Sequence, residues 1–387
     1  MTTPHGYSLL AYGNMITDTP RMKAYSRALK NAIHPGMTVL DLGAGPGILS
    51  LLAGRFGAAH VHAVEPDDTI QMIHEFAAAN DLGDRITTHQ ALSTAVTLPA
   101  RVDVIVSDLR GVLPFFEHNI PSIIDARQRL LKDGGQLIPK VDTLWAVLVG
   151  GTEFCQPLKK PWMENDFDLN LTAGQALVSN AWRRVVIRQN QLMSPPQRWS
   201  TLDYRSIEQP NAEGNVAWTL EETGTVCGVA VWFDSELDDC IGFSNAPGEP
   251  EMIYGQAFFP WPEPQKLAVG DRVSVDLRAD LTGDDYTWSW RSRICGSDNL
   301  DCPRAVFDQS TFFANLISPE QLRRREANST PALEVEGQID SFILSQMDGM
   351  TTLGEIARRT VDRLPEHFKD WQEALTRVGE LAVKYGK

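Results

Sequence analysis

"VLDLGAGPG", residues 39–47, does most to limit the folds open to this chain. An apolar run ends in an acid and three alternating glycines, and "GILSLLAGRF" continues it with helical periodicity. Glycine accepts positive φ without a steric clash, so a strand here turns sharply into a helix and presents backbone amides to a ligand. The following segments keep the alternation. "HVHAVEP", "RITTHQA" and "VDVIVSD" read as strands, "DTIQMIHEFAAAN" and "IPSIIDARQRLL" as helices, "DGG" as a turn and "GQLIPK" as the start of a further strand. Such alternation predicts a mostly parallel sheet covered on both faces, with ligands beyond the carboxyl ends of its strands.

From about residue 141 to 300 the pattern becomes one of short strands separated by Gly, Pro, Asn and Asp, and most tryptophans lie there. "TLWAVLVG", "NVAWTLEETG", "VCGVAVWFDS", "RVSVDLRADL" and "YTWSWRSRI" predict an antiparallel barrel or sandwich. A polar, proline-interrupted stretch over 301–330 reads as a linker, and 331–387 as a small helical domain. In that last segment Ile339, Phe342, Ile343 and Met347 share a helix face, "TLGE" at Thr352–Glu355 is a capping box, and Phe368, Trp371, Leu375, Val378 and Leu381 mark a final amphipathic helix. A winged helix is one form such a unit takes. Its acidic excess favours a packing or peptide-binding role over DNA.

A chain with 43% hydrophobic and 22% charged residues is a soluble globular protein, and 387 residues exceed one ordinary core. No run of about 18 apolar residues exists to span a membrane. "MTTPHGYSLLAYGNM" lacks the basic and apolar regions of a signal peptide, so cytoplasmic residence is expected. The five cysteines, Cys155, Cys227, Cys240, Cys295 and Cys302, have no metal-ligand spacing and read as thiols of a reducing compartment. The net charge of −15 disfavours nucleic acid and is compatible with a basic substrate.

Cofactor chemistry starts at the glycines. Gly43, Gly45 and Gly47 let amides approach a ligand, Asp41 at the strand end can hold the loop through backbone amides, and Glu65 at the end of the next strand can accept both hydroxyls of a ribose. Together they point to a nucleoside cofactor. "YGNMITDTPRMKAY" separates S-adenosylmethionine from NAD. It is a helix-like segment ahead of the loop, where a dinucleotide fold begins with its first strand. Its Arg21 can clamp an amino-acid carboxylate through a bidentate contact. No metal is expected.

"MITDTPRMKAY", "VLDLGAGPGILS", "VEP", "SDLRGVLPFFE", "ARQRLLKDGGQLIP", "GVAVWFDSEL" and "GFSNAPGEPEMIYGQAFF" resemble, in order and spacing over residues 7–295, the successive motifs of the protein arginine methyltransferases. The resemblance implies an α/β fold class: a class I Rossmann-like methyltransferase domain over 1–140 that binds S-adenosylmethionine, then an antiparallel β-barrel substrate domain over 141–300, with the C-terminal helical domain added. It implies that Arg21 binds the methionyl carboxylate, that Gly43 and Gly45 line the methionine end, that Glu65 holds the ribose, and that Met15 lies beside the reacting methyl. Asp108 and Glu117 take the positions of the family's two loop glutamates. Two carboxylates there would grip a guanidinium and leave one nitrogen electron-rich toward the sulfonium methyl.

The chain departs from the family at three places. Asp108 is one methylene shorter than glutamate. Arg110 puts a cation in the loop, to pair with Asp108 or Glu117 or to bind a substrate carboxylate. Met252-Ile253-Tyr254 replaces threonine-histidine-tryptophan, so Asp18 keeps its place without a histidine partner, and Tyr254 and Gln256 are left to supply polar contacts to substrate. The segment after "WMENDFDLN", matching the family's dimerisation arm, is short, and a homodimer is left open. The expected activity is methyl transfer to an arginine of a protein or peptide. The alternatives are free arginine, another small molecule or a natural-product peptide as acceptor, and a catalytically weakened scaffold that still binds the cofactor.

Overall fold

A computed structural model describes residues 7–386, and of Thr152, Cys155, Leu158, Lys159, Leu300 and Asp301 only the backbone. The chain forms two compact units, one ending at Asn315 and one beginning at Leu316. The first opens with helices α1 (Leu9–Thr17) and α2 (Thr19–Ala32). Then come β1 (Thr38–Leu42), α3 (Ile48–Arg55), β2 (His60–Val64), α4 (Met72–Ala79), β3 (Ile86–His89), β4 (Val102–Ser107), α5 (Asn119–Arg129) and β5 (Leu131–Ile138). These five strands make one sheet in the order β3-β2-β1-β4-β5, every pair parallel. The strand order reverses between β1 and β4, and in such sheets the crevice at that point is where ligands bind. The "DGG" turn lies inside β5 instead of before it. Gly134 has φ +75° there, and the pairing with β4 shifts register between Val102 and Val104.

The antiparallel part begins with β6 (Val141–Gly150), followed by α6 (Thr152–Met163), α7 (Thr172–Val178), β7 (Arg183–Val185), β8 (Gln197–Asp203), β9 (Ala212–Thr219), β10 (Gly224–Asp238), β11 (Ile241–Ser244), β12 (Gln256–Leu267), β13 (Arg272–Thr282), β14 (Asp285–Gly296) and β15 (Asn299–Ser310). One sheet runs β7-β12-β10-β6-β8 with β11 on β10, and a second runs β15-β14-β13-β9. Strand β15 starts where the apolar alternation fades at residue 300, so the β-rich part continues to Ser310. It lies at the edge of its sheet, where Pro303 is tolerated and little apolar surface needs burying. Trp199, Trp288, Trp290 and Phe259 of these sheets share one buried core with Leu40, Ile105 and Phe115 of the parallel half.

The second unit contains α8 (Pro319–Arg324), α9 (Val335–Ser345), α10 (Leu353–Arg363) and α11 (Trp371–Tyr385). Ile339, Ile343, Ile356, Val378 and Leu381 are its core, and both halves of the Thr352–Glu355 capping box form. Among its described residues there is no strand, so the wing of a winged helix is not built. Cys240, Cys295 and Cys302 form no disulfide, and the buried Cys227 thiol donates to the Gly151 carbonyl. No helix among the described residues is long and apolar enough to cross a membrane.

Candidate active site

Three of the glycines between β1 and α3 have positive φ, +74° at Gly43, +50° at Gly45 and +83° at Gly47. The turn is crowded as well as left-handed. A Cβ on Gly43 would lie 2.1 Å from the Leu109 side chain, and one on Gly45 would lie 2.7 Å from the Tyr12 ring. The glycine turn is therefore closed over by the loop after β4 on one side and by α1 on the other. Glu65, at the end of β2, accepts from the Gly45 amide at 3.0 Å with Oε2 and from the Asp67 amide at 3.0 Å with Oε1. Burial raises its carboxyl, and those two amides partly offset the rise.

Asp41 accepts from the Ser50 hydroxyl at 2.7 Å, so it ties β1 to the first turn of α3 through Ser50 and not through the glycine amides. Its Oδ1 is buried with no hydrogen-bond partner among the described residues. Burial pushes this carboxyl up to about 7 against the lowering effect of Ser50. A carboxyl raised in the folded state adds stability below its unfolded value of about 4, and that stability is lost as pH rises toward its folded value. Asp41→Asn should therefore raise the melting temperature more at about pH 8 than at about pH 5. Equal gains at both pH values would show that Asp41 folds with its ordinary acidity.

Arg21 and Asp18 stand at the junction of α1 and α2. Arg21 is buried, donating from Nε to Asp108 Oδ2 at 2.8 Å and from Nη1 to the Met15 carbonyl at 3.1 Å. Asp18 is buried, accepts from the Ile253 amide at 3.0 Å with Oδ2, and has an Oδ1 without a partner among the described residues. Where the family pattern has a histidine ring, this chain meets Asp18 with a backbone amide.

Asp108 follows β4 and is enclosed. Besides Arg21 it accepts from Arg110 Nε at 3.2 Å and from the Tyr254 hydroxyl at 2.9 and 3.0 Å. Burial alone would raise its carboxyl; the Arg21 and Arg110 charges and the Tyr254 hydroxyl outweigh that and hold it below the usual carboxylate range. Arg110 turns inward. It donates from Nη1 to Asp142 at 2.9 Å and to Ser235 at 2.7 Å, and from Nη2 to the Tyr25 hydroxyl. Its guanidinium also lies 5.3 Å from the ring centres of both Phe233 and Phe243. Its donors are thus directed to internal partners. Gln256 is internal too, accepting from the Ile187 amide at 2.8 Å and donating to the Asn245 carbonyl at 2.6 Å. Of the sequence candidates, Arg21, Met15, Asp108, Arg110 and Tyr254 are brought together; Gln256 is tied into the β-sheet framework.

Glu117 ends the loop one residue before the cap of α5 and is exposed. Its φ is +42°, in the left-handed region. A glutamate there costs about 1–2 kcal/mol, and strain of this kind gathers at functional positions. Between the two acids, Phe115 packs at 5.5 Å from Trp199 and 5.6 Å from Trp288, pinning the middle of the loop into the shared core. Tyr7 and Tyr12 were not foreseen as site residues. Their rings meet edge-on at 5.9 Å. Burial raises the Tyr7 phenol, and the charges of Glu117 and Asp108 raise it further, which places Tyr7 in the field of both acids. Their one sequence signal is the aromatic pair in "GYSLLAYGN" ahead of Arg21.

A family model described as ribosomal protein L11 methyltransferase (PrmA) matches residues 19–139. The arginine N(omega)-methyltransferase of Streptomyces achromogenes subsp. streptozoticus is 30% identical over 269 residues, covering 68% of this chain and 74% of that protein. Protein arginine N-methyltransferase 6 of Xenopus tropicalis is 27% identical over 283 residues, covering 70% of this chain and 81% of that protein. Among solved structures, the Trypanosoma brucei PRMT1 enzyme–prozyme heterotetrameric complex with AdoHcy superposes with a TM-score of 0.70 at 19% identity, over 78% of this chain and 96% of that one. Arabidopsis thaliana protein arginine methyltransferase 10 gives 0.68 at 21% identity, over 78% and 97%. The structural likenesses speak for the fold.

Proposed function

The chain belongs to the protein arginine methyltransferase family and is an S-adenosylmethionine-dependent arginine N-methyltransferase, and from that premise we propose which of its residues carry the reaction and on what acceptor. The residues fit the cofactor. Glu65 has lone pairs left for two ribose hydroxyls, and Arg21 keeps donors of its fork for the methionyl carboxylate. The backbone of Gly43 and Gly45 lines the methionine end, Asp41 steadies the turn, and Met15 borders the reacting methyl. The cofactor supplies an electrophilic methyl on a sulfonium.

Glu117 accepts hydrogen bonds from the acceptor guanidinium and fixes its plane. That withdraws two nitrogens from the reaction and directs the third along the line of displacement. A proton on one of the held nitrogens passes to Glu117 as the third is methylated, so the product stays a monocation, and the exposure of Glu117 gives that proton a route to solvent. Asp108 has most of its acceptor positions engaged by Arg21, Arg110 and Tyr254, which leaves it at most a minor direct share in the grip. Asp18, with a free acceptor oxygen, and the Tyr254 hydroxyl border the acceptor. The carrying observation is the 2.8 Å pair of Arg21 with Asp108. It joins the cofactor-carboxylate arginine to the acceptor loop, so that donor and acceptor meet at the reversal of strand order.

The acceptor is an arginine in a protein or peptide. We read the two antiparallel sheets over 141–310 as the barrel domain that receives it, and the protein as a cytoplasmic one able to pair with a second copy, binding neither nucleic acid nor membrane. Steady-state kinetics with an arginine-containing peptide and with free arginine decide the class. A kcat/KM at least tenfold higher for the peptide is expected. The reverse order would assign free arginine; the name of the Streptomyces relative gives its acceptor as arginine.

A further inference from the structure

Arg110 is the one loop cation, and the structure gives it no outward role. Its guanidinium is buried in a chain of polar groups drawn from five places: Asp108 in its own loop, Tyr25 on α2, Asp142 on β6, Ser235 on β10 and, through Asp142, Tyr204 after β8. Asp142 is fully buried and accepts from both Arg110 and the Tyr204 hydroxyl, the latter at 2.7 Å. Tyr25 in turn donates to the Ser107 carbonyl at 2.9 Å, next to Asp108. The rings of Tyr25, Phe233 and Phe243 enclose the cation. Two arginines and two aspartates, Arg21, Arg110, Asp108 and Asp142, make an alternating row, so each carboxylate is held by a positive charge.

We propose that Arg110 is a positioning residue: anchored on Asp142 and Ser235 in the β-sheet region, it holds Asp108 by Oδ1 opposite Arg21 on Oδ2, and so fixes and keeps ionised the carboxylate that orients Arg21. This rests on the reading of Asp108 as a site group. Without Arg110, Asp108 keeps one cation, Arg21 on Oδ2, and the single Tyr254 hydroxyl proton that its two oxygens share; it can then turn about its Cβ–Cγ bond, and Arg21 would turn with it. Gripped from both oxygens by cations tied to different layers, it is fixed in plane. Because Arg110 is rooted in β6 and β10, the β-sheet region takes part in setting the geometry of the cofactor site.

Removing Arg110 and removing Asp142 have opposite consequences for Asp108. Arg110→Met removes the positive charge beside Asp108. The groups then left facing Asp108 are Arg21 and Tyr25 from α2 and Tyr254 from the turn before β12, with Tyr7, Glu117 and Asp41 acting through their fields. The Asp108 carboxyl rises, and the acid limb of kcat/KM moves up by about one pH unit or more. Asp142→Asn removes a negative charge from the far side of Arg110 and leaves Arg110 with Asp108 as its only carboxylate. That limb stays in place or moves down, although the same buried network is broken. Arg110→Lys, which keeps the charge, should bring the limb back toward the wild-type position.

A merely structural Arg110 would lower the melting temperature in both variants and move neither limb. An unmoved limb in Arg110→Met, or an upward shift in Asp142→Asn, overturns the proposal. Should Arg110→Met fail to give a cooperative melt, Arg110→Gln, which removes the charge and keeps a donor, takes its place: an upward limb supports the proposal and an unmoved limb overturns it. Asp108→Asn separates this from the premise: full activity there would overturn the reading of Asp108, whereas an inactive Asp108→Asn with an unmoved Arg110→Met limb overturns only the role of Arg110.

Discussion

Glu117→Gln should lower kcat by about a hundred- to a thousandfold while leaving the dissociation constant of S-adenosylmethionine unchanged. The substitution is nearly isosteric, so it removes the negative charge and one acceptor oxygen from the acceptor side without disturbing the glycine turn. A guanidinium nitrogen is a poor nucleophile because its lone pair is delocalised, and a carboxylate held against the other nitrogens is what counters this. Asp108 cannot take over, since Arg21, Arg110 and Tyr254 already surround it. The backbone adds a second handle. With φ at +42°, Glu117→Gly removes the same carboxylate and also relieves the left-handed strain. It should lose as much activity as Glu117→Gln and melt no lower than the wild type. Near-normal turnover in Glu117→Gln would remove this residue from the mechanism and shift the grip to Asp18.

Glu65→Ala should act on the other substrate. On the proposed reading its carboxylate accepts from two ribose hydroxyls; it also holds the Gly45 and Asp67 amides at 3.0 Å each. Hydrogen bonds to a charged acceptor contribute about 1.5–3 kcal/mol apiece, so losing the pair costs about 3 kcal/mol or more. That corresponds to about a hundredfold weaker cofactor binding. At saturating cofactor, kcat should change little, because no group near the methyl is altered. Calorimetric titration of the variant checks the first part and steady-state kinetics the second. A large fall in kcat at an unchanged dissociation constant would move Glu65 from binding to chemistry.

The two variants separate because the site is built from two ends. Glu65 and the glycine turn lie at the carboxyl ends of β2 and β1; Glu117 ends the loop after β4, whose first residue, Asp108, holds Arg21. The parts fixed by local chemistry were readable from the chain. Apolar runs alternating with helical periodicity gave the parallel sheet, and the glycines at 43, 45 and 47 gave a turn whose left-handed φ angles the fold requires. The capping box at Thr352 formed because its two residues are neighbours on one helix turn.

What was not readable depended on distant partners. Arg110 read as a partner of Asp108 or Glu117 or as a ligand for a substrate carboxylate; the pairing with Asp108 forms, but nothing near it announces Asp142, 32 positions away, or Ser235, 125 positions away. Gln256 looked like a site residue because it lies two positions from Tyr254, yet Tyr254 precedes β12, and Gly255 between them turns the chain with φ +59°, so Gln256 meets Ile187 and Asn245 instead. Strand β15 was hidden by its polarity, since an edge strand needs pairing more than burial. Tyr7 lies just before α1 and Tyr12 within it, and only the crowding at Gly45 reveals why an aromatic ring stands at position 12.

The chemistry assigned to the loop Asp108–Glu117 is tested most directly by the identity of the methylated atom. After transfer of an isotopically labelled methyl from S-adenosylmethionine to an arginine-containing peptide, acid hydrolysis and amino-acid analysis should recover the label as ω-N-methylated arginine. Label recovered on lysine or histidine, or lost to base as a carboxyl ester, would contradict a guanidinium held by Glu117.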